Sequence, residues 1–312
     1  MKANLSSVKI TSCLKHSCFA LALTGLLAAP ALAQGVEREV GGGRLNWSEK
    51  TLTVTGSGAT KPGGNAGQQR LMAQRAATAD AYRQLAEAVN GVQVFSETVV
   101  KDFVTESDTI RLQVKAVIRG AKPVGKPRYL SDGTVEIDVS MPIFGRGSLA
   151  QAIDFGQTLE QQLSRPYSSI EHYLAFRGLS LPGSAAKAPR GGRLAQGQDY
   201  TGLIIDASGL AAEPAMGPFI VGAGKRIHIG NDIEVDPNRV VEEGPLHYVE
   251  DLDDAKQDTE RVGANPLIIR AKAATGAPVR SNILLDPATA QKIITINQQA
   301  KFLEQLKVTL VL

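Results

Sequence analysis

Gly222-Ala223-Gly224-Lys225 is the run in this chain that comes nearest to a phosphate-cradling loop. Such a loop needs a glycine five residues before its Gly-Lys pair, a Ser or Thr after the lysine, and a helix behind it. Here Phe219 and Arg226 hold those two positions, and the strand-forming run Ile227-His228-Ile229 follows. The segment therefore reads as a hairpin, with Phe219-Ile220-Val221 and Arg226-Ile227-His228-Ile229 as its arms. Gly56-Ser57-Gly58 lacks the third glycine of a dinucleotide fingerprint and reads as the loop that closes a strand.

Three histidines lie beyond the first 33 residues: His172, His228 and His247. None lies on an expected helix with a second histidine or an acid four residues away in zinc-protease order, although His172 follows Glu171. His228 is expected to point outward on its strand. No Gly-x-Ser-x-Gly elbow is present. A hydrolase would need one of these histidines beside an acid and a nucleophile. The acids Glu250, Asp251, Asp253 and Asp254 lack the central glycine and terminal glutamate of a calcium loop. They suit a helix N-terminus, where negative charge is favourable. These residues lead to no assigned catalytic, cofactor-binding or metal-binding side chain, and to no cofactor.

The first 33 residues read as a secretory signal. Lys2, Lys9 and Lys15 precede a short apolar core from Phe19 to Leu27, and Pro30 precedes the small-x-small site Ala31-Leu32-Ala33. Cleavage after Ala33 would leave Gln34 as the first residue. The apolar stretch is shorter than the ~20 residues that span a bilayer, so no transmembrane helix is expected in the mature chain. Both cysteines, Cys13 and Cys18, fall within the signal. Gln34 stands where a lipoprotein needs its acceptor cysteine, so no lipid anchor is expected. The signal holds three lysines and no acid, so 31 of the 34 basic residues remain, against 31 acidic ones. That balance excludes the basic footprint of a general nucleic-acid binder.

Residues 34–147 are expected to form an α+β domain in which a helix packs on an antiparallel sheet. Gly35 to Arg44 reads as a loose N-terminus, and Leu52 to Thr55 alternates as a strand does. Ala66 to Val89 predicts a helix. Its apolar face is expected to hold Leu71, Met72, Ala76, Ala79, Tyr82, Leu85, Ala86 and Val89, with small alanines permitting close approach to the sheet. Ile110 to Ile118 alternates apolar and polar residues and reads as a strand. Val124 to Leu130 reads as an edge strand containing Pro127. Asp132-Gly133 predicts a hairpin turn into the strand Val135 to Met141.

Residues 148–177 read as a helical connector, and 178–198, rich in Gly, Pro and Ala, as a linker or surface loop between separately folding domains. Residues 199–312 predict a mixed α/β unit. Leu203-Ile204-Ile205 and Leu267-Ile268-Ile269 look like buried strands, Asp251 to Val262 like a polar helix, Asp286-Pro287 like a helix start, and Lys307 to Leu312 like a closing strand.

Arg75-Ala76-Ala77 and the run Asp80-Ala81-Tyr82-Arg83-Gln84-Leu85-Ala86-Glu87-Ala88-Val89-Asn90-Gly91-Val92 belong to a set of spaced pieces. The others are Thr105-Glu106-Ser107-Asp108, Gly120-Ala121, Asp132-Gly133-Thr134-Val135-Glu136-Ile137 and Met141-Pro142. Together, over roughly residues 50–147, they resemble the LPP20 family of bacterial envelope proteins and the N-terminal part of flagellar assembly protein T. Tyr200 to Ala207 and Gly263 to Leu267 resemble a second domain often joined to it. The resemblance implies a structural or assembly role in the periplasm or at the outer-membrane periphery, with no catalytic residues to carry over. The implied partners are envelope proteins, flagellar basal-body components among them, with peripheral membrane association as a further expectation. The rival expectation is a periplasmic module that binds a small ligand or a polysaccharide.

Overall fold

The computed structural model describes residues 35–59, 63, 65–164, 199–222, 224–230, 233 and 235–312. The expected cleavage residues Ala31, Ala33 and Gln34, the histidine His172 and the 178–198 segment lie outside them. The chain has an α+β fold.

The N-terminal part is an antiparallel sheet of five strands in the order β1-β2-β3-β7-β6. These are β1 (Glu37–Val40), β2 (Gly43–Asn46), β3 (Thr51–Gly58), β6 (Lys122–Tyr129) and β7 (Val135–Pro142). The expected edge strand and the Asp132-Gly133 hairpin are both present as β6 and β6–β7. Gly35 to Arg44 is not loose. It enters β1 and turns through Gly41-Gly42, both at positive φ, into β2. A two-residue turn of that kind matches the twist of paired strands, and glycine reaches it without steric cost.

Helix α1 (Ala66–Asn90) crosses one face of this sheet. Its buried side is Ala73, Ala77, Ala81, Leu85, Ala88 and Val89. The expected face was rotated from this one, for Leu71 and Met72 are 58% and 62% exposed. Close approach decides the orientation. Gly56 and Gly58 lie inside β3, not in a loop. A Cβ on Gly56 would stand 2.2 Å from the Ala77 carbonyl oxygen, and one on Gly58 2.2 Å from the Ala77 nitrogen. Only a helix face of alanines fits over them.

After the short pair β4 (Gln93–Phe95) and β5 (Thr98–Val99) come helices α2 (Val100–Glu106) and α3 (Asp108–Gly120). The expected strand at Ile110 to Ile118 is thus a helix. Ile110, Val114, Val117 and Ile118 satisfy helical spacing as well as alternation. Ser107 caps the helix by accepting from the Ile110 amide at 3.3 Å. Asp108 in the first turn and Arg119 in the last complement the helix dipole. The connector is α4 (Leu149–Ala152) and α5 (Phe155–Ser164).

In the C-terminal part a parallel sheet runs β11-β15-β8-β12. Its strands are β8 (Gly202–Asp206), β11 (His247–Val249), β12 (Pro266–Arg270) and β15 (Val308–Val311). β8 is interior and buried on both faces, as its uninterrupted apolar run predicts. β12 is an edge, and Ile268 is 44% exposed, so that strand is only half-buried. A second sheet runs β10-β9-β14-β13, from β9 (Ile220–Gly222), β10 (Lys225–His228), β13 (Ala273–Thr275) and β14 (Asn282–Leu284). The β9–β10 hairpin stands where Gly222 to Lys225 was read as one. Helix α6 (Pro237–Glu243) lies between β10 and β11. The polar helix expected at 251–262 is two short ones, α7 (Leu252–Gln257) and α8 (Thr259–Val262), capped by Asp251 and Asp258. Asp286 caps α9 (Pro287–Ala300).

The described residues from 35 onward form one unit with one continuous main core. Phe95 stacks between Phe219 and Phe155 at centroid distances of 5.8 and 6.0 Å. The amides of Met216 and Gly217 donate to the carbonyls of Gln93 and Val94. Trp47 packs edge-on against Tyr248 at 5.7 Å.

Candidate functional site

The turn between β2 and β3 carries Trp47, Ser48 and Lys50 into the C-terminal part. Lys50 adopts a positive φ of 56°. Its Nζ donates to the Glu243 carbonyl at 2.7 Å. Burial and the nearby Arg261 charge lower the Lys50 ammonium to about 8, against the opposing pull of Glu243 and Asp258. Arg261, on α8, donates to the Gly244 carbonyl at 2.9 Å and lies 3.6 Å from a Glu243 carboxylate oxygen. Burial lowers its pKa too.

Beside this pair, His247 Nδ1 sits 2.5 Å from the Asp258 carboxylate, and its Nε2 sits 3.2 Å from the Ser48 carbonyl oxygen. Burial raises the Asp258 pKa, but hydrogen bonding from His247 and the charges of His247 and Arg261 outweigh it and hold the carboxyl low. The types Ser48, His247 and Asp258 are those of a nucleophilic triad, but their wiring differs. A triad needs the serine hydroxyl on the histidine. Here the Ser48 hydroxyl donates to the Tyr248 carbonyl at 2.7 Å and accepts from the Val36 amide at 3.0 Å. His247 faces the Ser48 main chain instead. The arrangement fastens β1 and the β2–β3 turn to β11 and α8.

His228 was expected to face outward and is fully buried. A bulge between Arg226 and His228 shifts the β9–β10 register and breaks the alternation on which that expectation rests. Its Nε2 lies 2.7 Å from the Pro245 carbonyl oxygen, and its Nδ1 has no hydrogen-bond partner among the described residues. Burial lowers its pKa to about 4. Tyr248 exchanges two hydrogen bonds with the Ala215 main chain, at 2.8 and 3.0 Å, and burial pushes its hydroxyl pKa up. The structure thus brings His228 and His247 to the same junction, each bound into main chain. Among the described residues no group of three or more His, Cys, Asp and Glu is placed to hold a metal ion. Sequence reasoning missed Lys50 and Arg261, because their partners are mainly carbonyl groups, which leave no residue signature.

The surface carries a different feature. Among the described residues the exposed large apolar side chains are Leu71, Met72, Leu112, Val124, Tyr129, Leu130 and Ile268. All but Ile268 belong to α1, α3, β6 or the residue after β6. On α1, Leu71, Gln74, Arg75, Thr78, Ala79 and Tyr82 line a shallow groove. Tyr82 donates to the Ala121 carbonyl at 2.8 Å, which ties α1 to the α3–β6 junction. The Arg70 guanidinium stands 5.8 Å from the centre of the Tyr129 ring, which joins the start of α1 to the end of β6. No helix among the described residues is long and apolar enough to cross a membrane.

Residues 202–312 match the family model described as the second domain of Treponema pallidum Tp0624. The match begins at the first residue of β8 and includes β11, α8 and the rest of both C-terminal sheets. No curated protein matches the chain.

Proposed function

We propose that this chain is an exported, non-enzymatic envelope protein that works by docking onto other envelope proteins, with the flagellar basal body as one setting. The observation that carries the reading is the exposure of Leu71 and Met72 on α1, each more than half exposed, with Leu71 at the rim of the shallow groove that ends at Tyr82. Large apolar side chains left exposed beside a groove mark a site that another surface covers. The leader ending at Ala31-Leu32-Ala33 supports export to the periplasm or outer-membrane periphery without a lipid anchor. The LPP20-like residues at 80–92 lie on α1 and the turn after it, the same element that presents Leu71 and Met72. The matched C-terminal family is by its description a second domain, which accords with a module joined to an N-terminal partner.

Crosslinking in intact envelopes tests the reading. Leu71→Glu with Met72→Glu should abolish the crosslinked species formed by the natural chain while leaving the melting temperature unchanged. Identical crosslinks from the double variant would refute it.

A second reading, binding of a small polar ligand or polysaccharide, draws on a cleft of about 350 Å³ between α3 and α5. Glu106, Gln113, Asp154, Gln157 and Gln161 line it with groups suited to hydroxyls. Saturable glycan binding that is lost in Gln113→Ala with Gln157→Ala would favour this reading over docking.

A further inference from the structure

From Thr109 to Ser131 the chain has no acidic residue and six basic ones: Arg111, Lys115, Arg119, Lys122, Lys126 and Arg128. The rest of the chain beyond the signal must therefore carry a net negative charge, since the whole is balanced. This run is α3 and β6, which follow one another directly in the chain. It also carries four of the exposed large apolar side chains: Leu112 at 66%, Val124 at 46%, Tyr129 at 57% and Leu130 at 44%.

The two features meet along one edge of the sheet: β6 leads straight out of α3, and its register puts Lys122 and Val124 on the face opposite α1 and Tyr129 on the α1 face. On α3, Leu112, Lys115, Ala116 and Arg119 fall on one outward face, while Val114 is buried behind them. β6 is the edge of its sheet, so residues on either of its faces reach the rim. Arg111 is tied to Asp108, and Arg128 to Glu136 and Asp138. Lys115, Arg119, Lys122 and Lys126 are exposed, and no described ion pair holds them.

A bare edge strand invites pairing with another strand, but β6 is poorly suited to that. Pro123 and Pro127 lack amide donors, and Lys122 and Lys126 add charge, which are the devices that blunt sheet edges. Strand addition by a second copy or a protein partner is therefore disfavoured at this rim. A surface that offers anionic groups above an apolar layer suits it better. Lysine and arginine meet lipid phosphates, leucine and valine enter the acyl boundary, and tyrosine prefers the level between them.

We infer that the α3–β6 rim seats the protein on an anionic lipid bilayer. Leu112, Val124, Tyr129 and Leu130 enter the interface, and Lys115, Arg119, Lys122 and Lys126 face the phosphates. The inference rests on the proposed envelope location and assigns the α3–β6 rim to lipid, leaving Leu71 and Met72 on α1 to the protein partner.

The test is co-sedimentation of the full mature chain with vesicles of phosphatidylcholine alone and of phosphatidylcholine mixed with phosphatidylglycerol. Binding should appear only with phosphatidylglycerol, and should fall as salt rises from about 50 to about 500 mM. Each surface charge contributes about a fivefold factor in partitioning, so Lys115→Gln with Arg119→Gln should weaken binding about 25-fold. Lys115→Arg with Arg119→Lys should retain it, which separates charge from any fault in folding. Leu112→Ser should weaken the binding that survives at high salt. Failure to bind the anionic vesicles, or equal binding to both kinds, overturns the lipid assignment. Pure vesicles contain no protein, so that failure leaves the crosslinking test of envelope docking untouched. Loss of envelope crosslinks in Lys115→Gln with Arg119→Gln, without any vesicle binding by the natural chain, would assign the rim to an acidic protein and overturn the lipid.

Discussion

Gly56→Ala is the sharpest perturbation of the fold that presents this surface. The added methyl would lie 2.2 Å from the Ala77 carbonyl oxygen, 2.3 Å from the Ala81 nitrogen and 2.6 Å from the Ala81 Cα. All three are helix backbone, so no side chain can swing aside. Helix α1 must withdraw by roughly 1 Å, and a gap of that size forfeits a quarter to a half of each dispersion contact across it. The affected contacts are those of Ala73, Ala77, Ala81 and Leu85 with β3 and β7. Overpacking typically costs about 1–3 kcal/mol, and the rigid neighbours place this case at about 3. At about 2–4 °C per kcal/mol for a chain of this size, the melting temperature should fall by roughly 6–12 °C. Thermal denaturation followed by circular dichroism reads the change. Gly120→Ala is the control. Nothing lies within 4 Å of its added methyl, so it should be neutral or stabilising by up to about 1 kcal/mol through a stiffer unfolded chain. A fall of under about 2 °C for Gly56→Ala would refute the close-approach account of α1.

Two pH dependences follow from the junction. His228 titrates at about 4 when folded and at about 6.5 when unfolded. As pH falls, the unfolded chain takes the proton first, so the folded state should lose roughly 3 kcal/mol between about pH 6.5 and 4. Urea midpoints at pH 7 and 5 should differ in the natural chain and differ less in His228→Gln; equal slopes would refute the assignment. Lys50 titrates at about 8 when folded and 10.5 when free, so the penalty of burying its charge should be relieved as pH rises between those values. The natural chain should gain stability relative to Lys50→Met over that window, and parallel curves in the two proteins would refute the burial of the ammonium.

The elements that sequence patterning identified well are those whose pattern fits one structure only. Leu203-Ile204-Ile205 is apolar without interruption and lies inside its sheet. The Asp132-Gly133 turn and the Asp286-Pro287 start were equally plain. Ile110 to Ile118 was misread because its apolar letters fit both periods, and the cap at Ser107 decides between them. Gly41-Gly42 and Gly56-Ser57-Gly58 look alike in sequence, because glycine marks turns and close approaches alike. Only the facing alanines of α1 separate the two cases. The junction around Lys50 and Arg261 was not legible at all. It depends on a positive φ and on carbonyl oxygens that belong to no residue type. His228 was misplaced for a related reason, since a bulge is a property of strand pairing and not of the strand itself.

The inverted composition of α1 bears on function. A helix normally turns its largest apolar residues inward, because burying a leucine or methionine contributes about 1.5–3 kcal/mol. Here the glycines of β3 leave room only for alanines, and Leu71 and Met72 are left on the outside. They contribute little to this fold, but that free energy is available to any surface that covers them. The surroundings hold them in place. Tyr82 fixes α1 to Ala121, Val114 anchors α3, and Leu85 and Val89 seat the helix in the common core. A surface already ordered by its own core loses less conformational entropy on binding than a loop would. The same alanine–glycine contact that should make Gly56→Ala costly therefore also holds the proposed docking face rigid. The glycines of β3, though none reaches the surface, set both the fold and the side chains that the proposed docking would use.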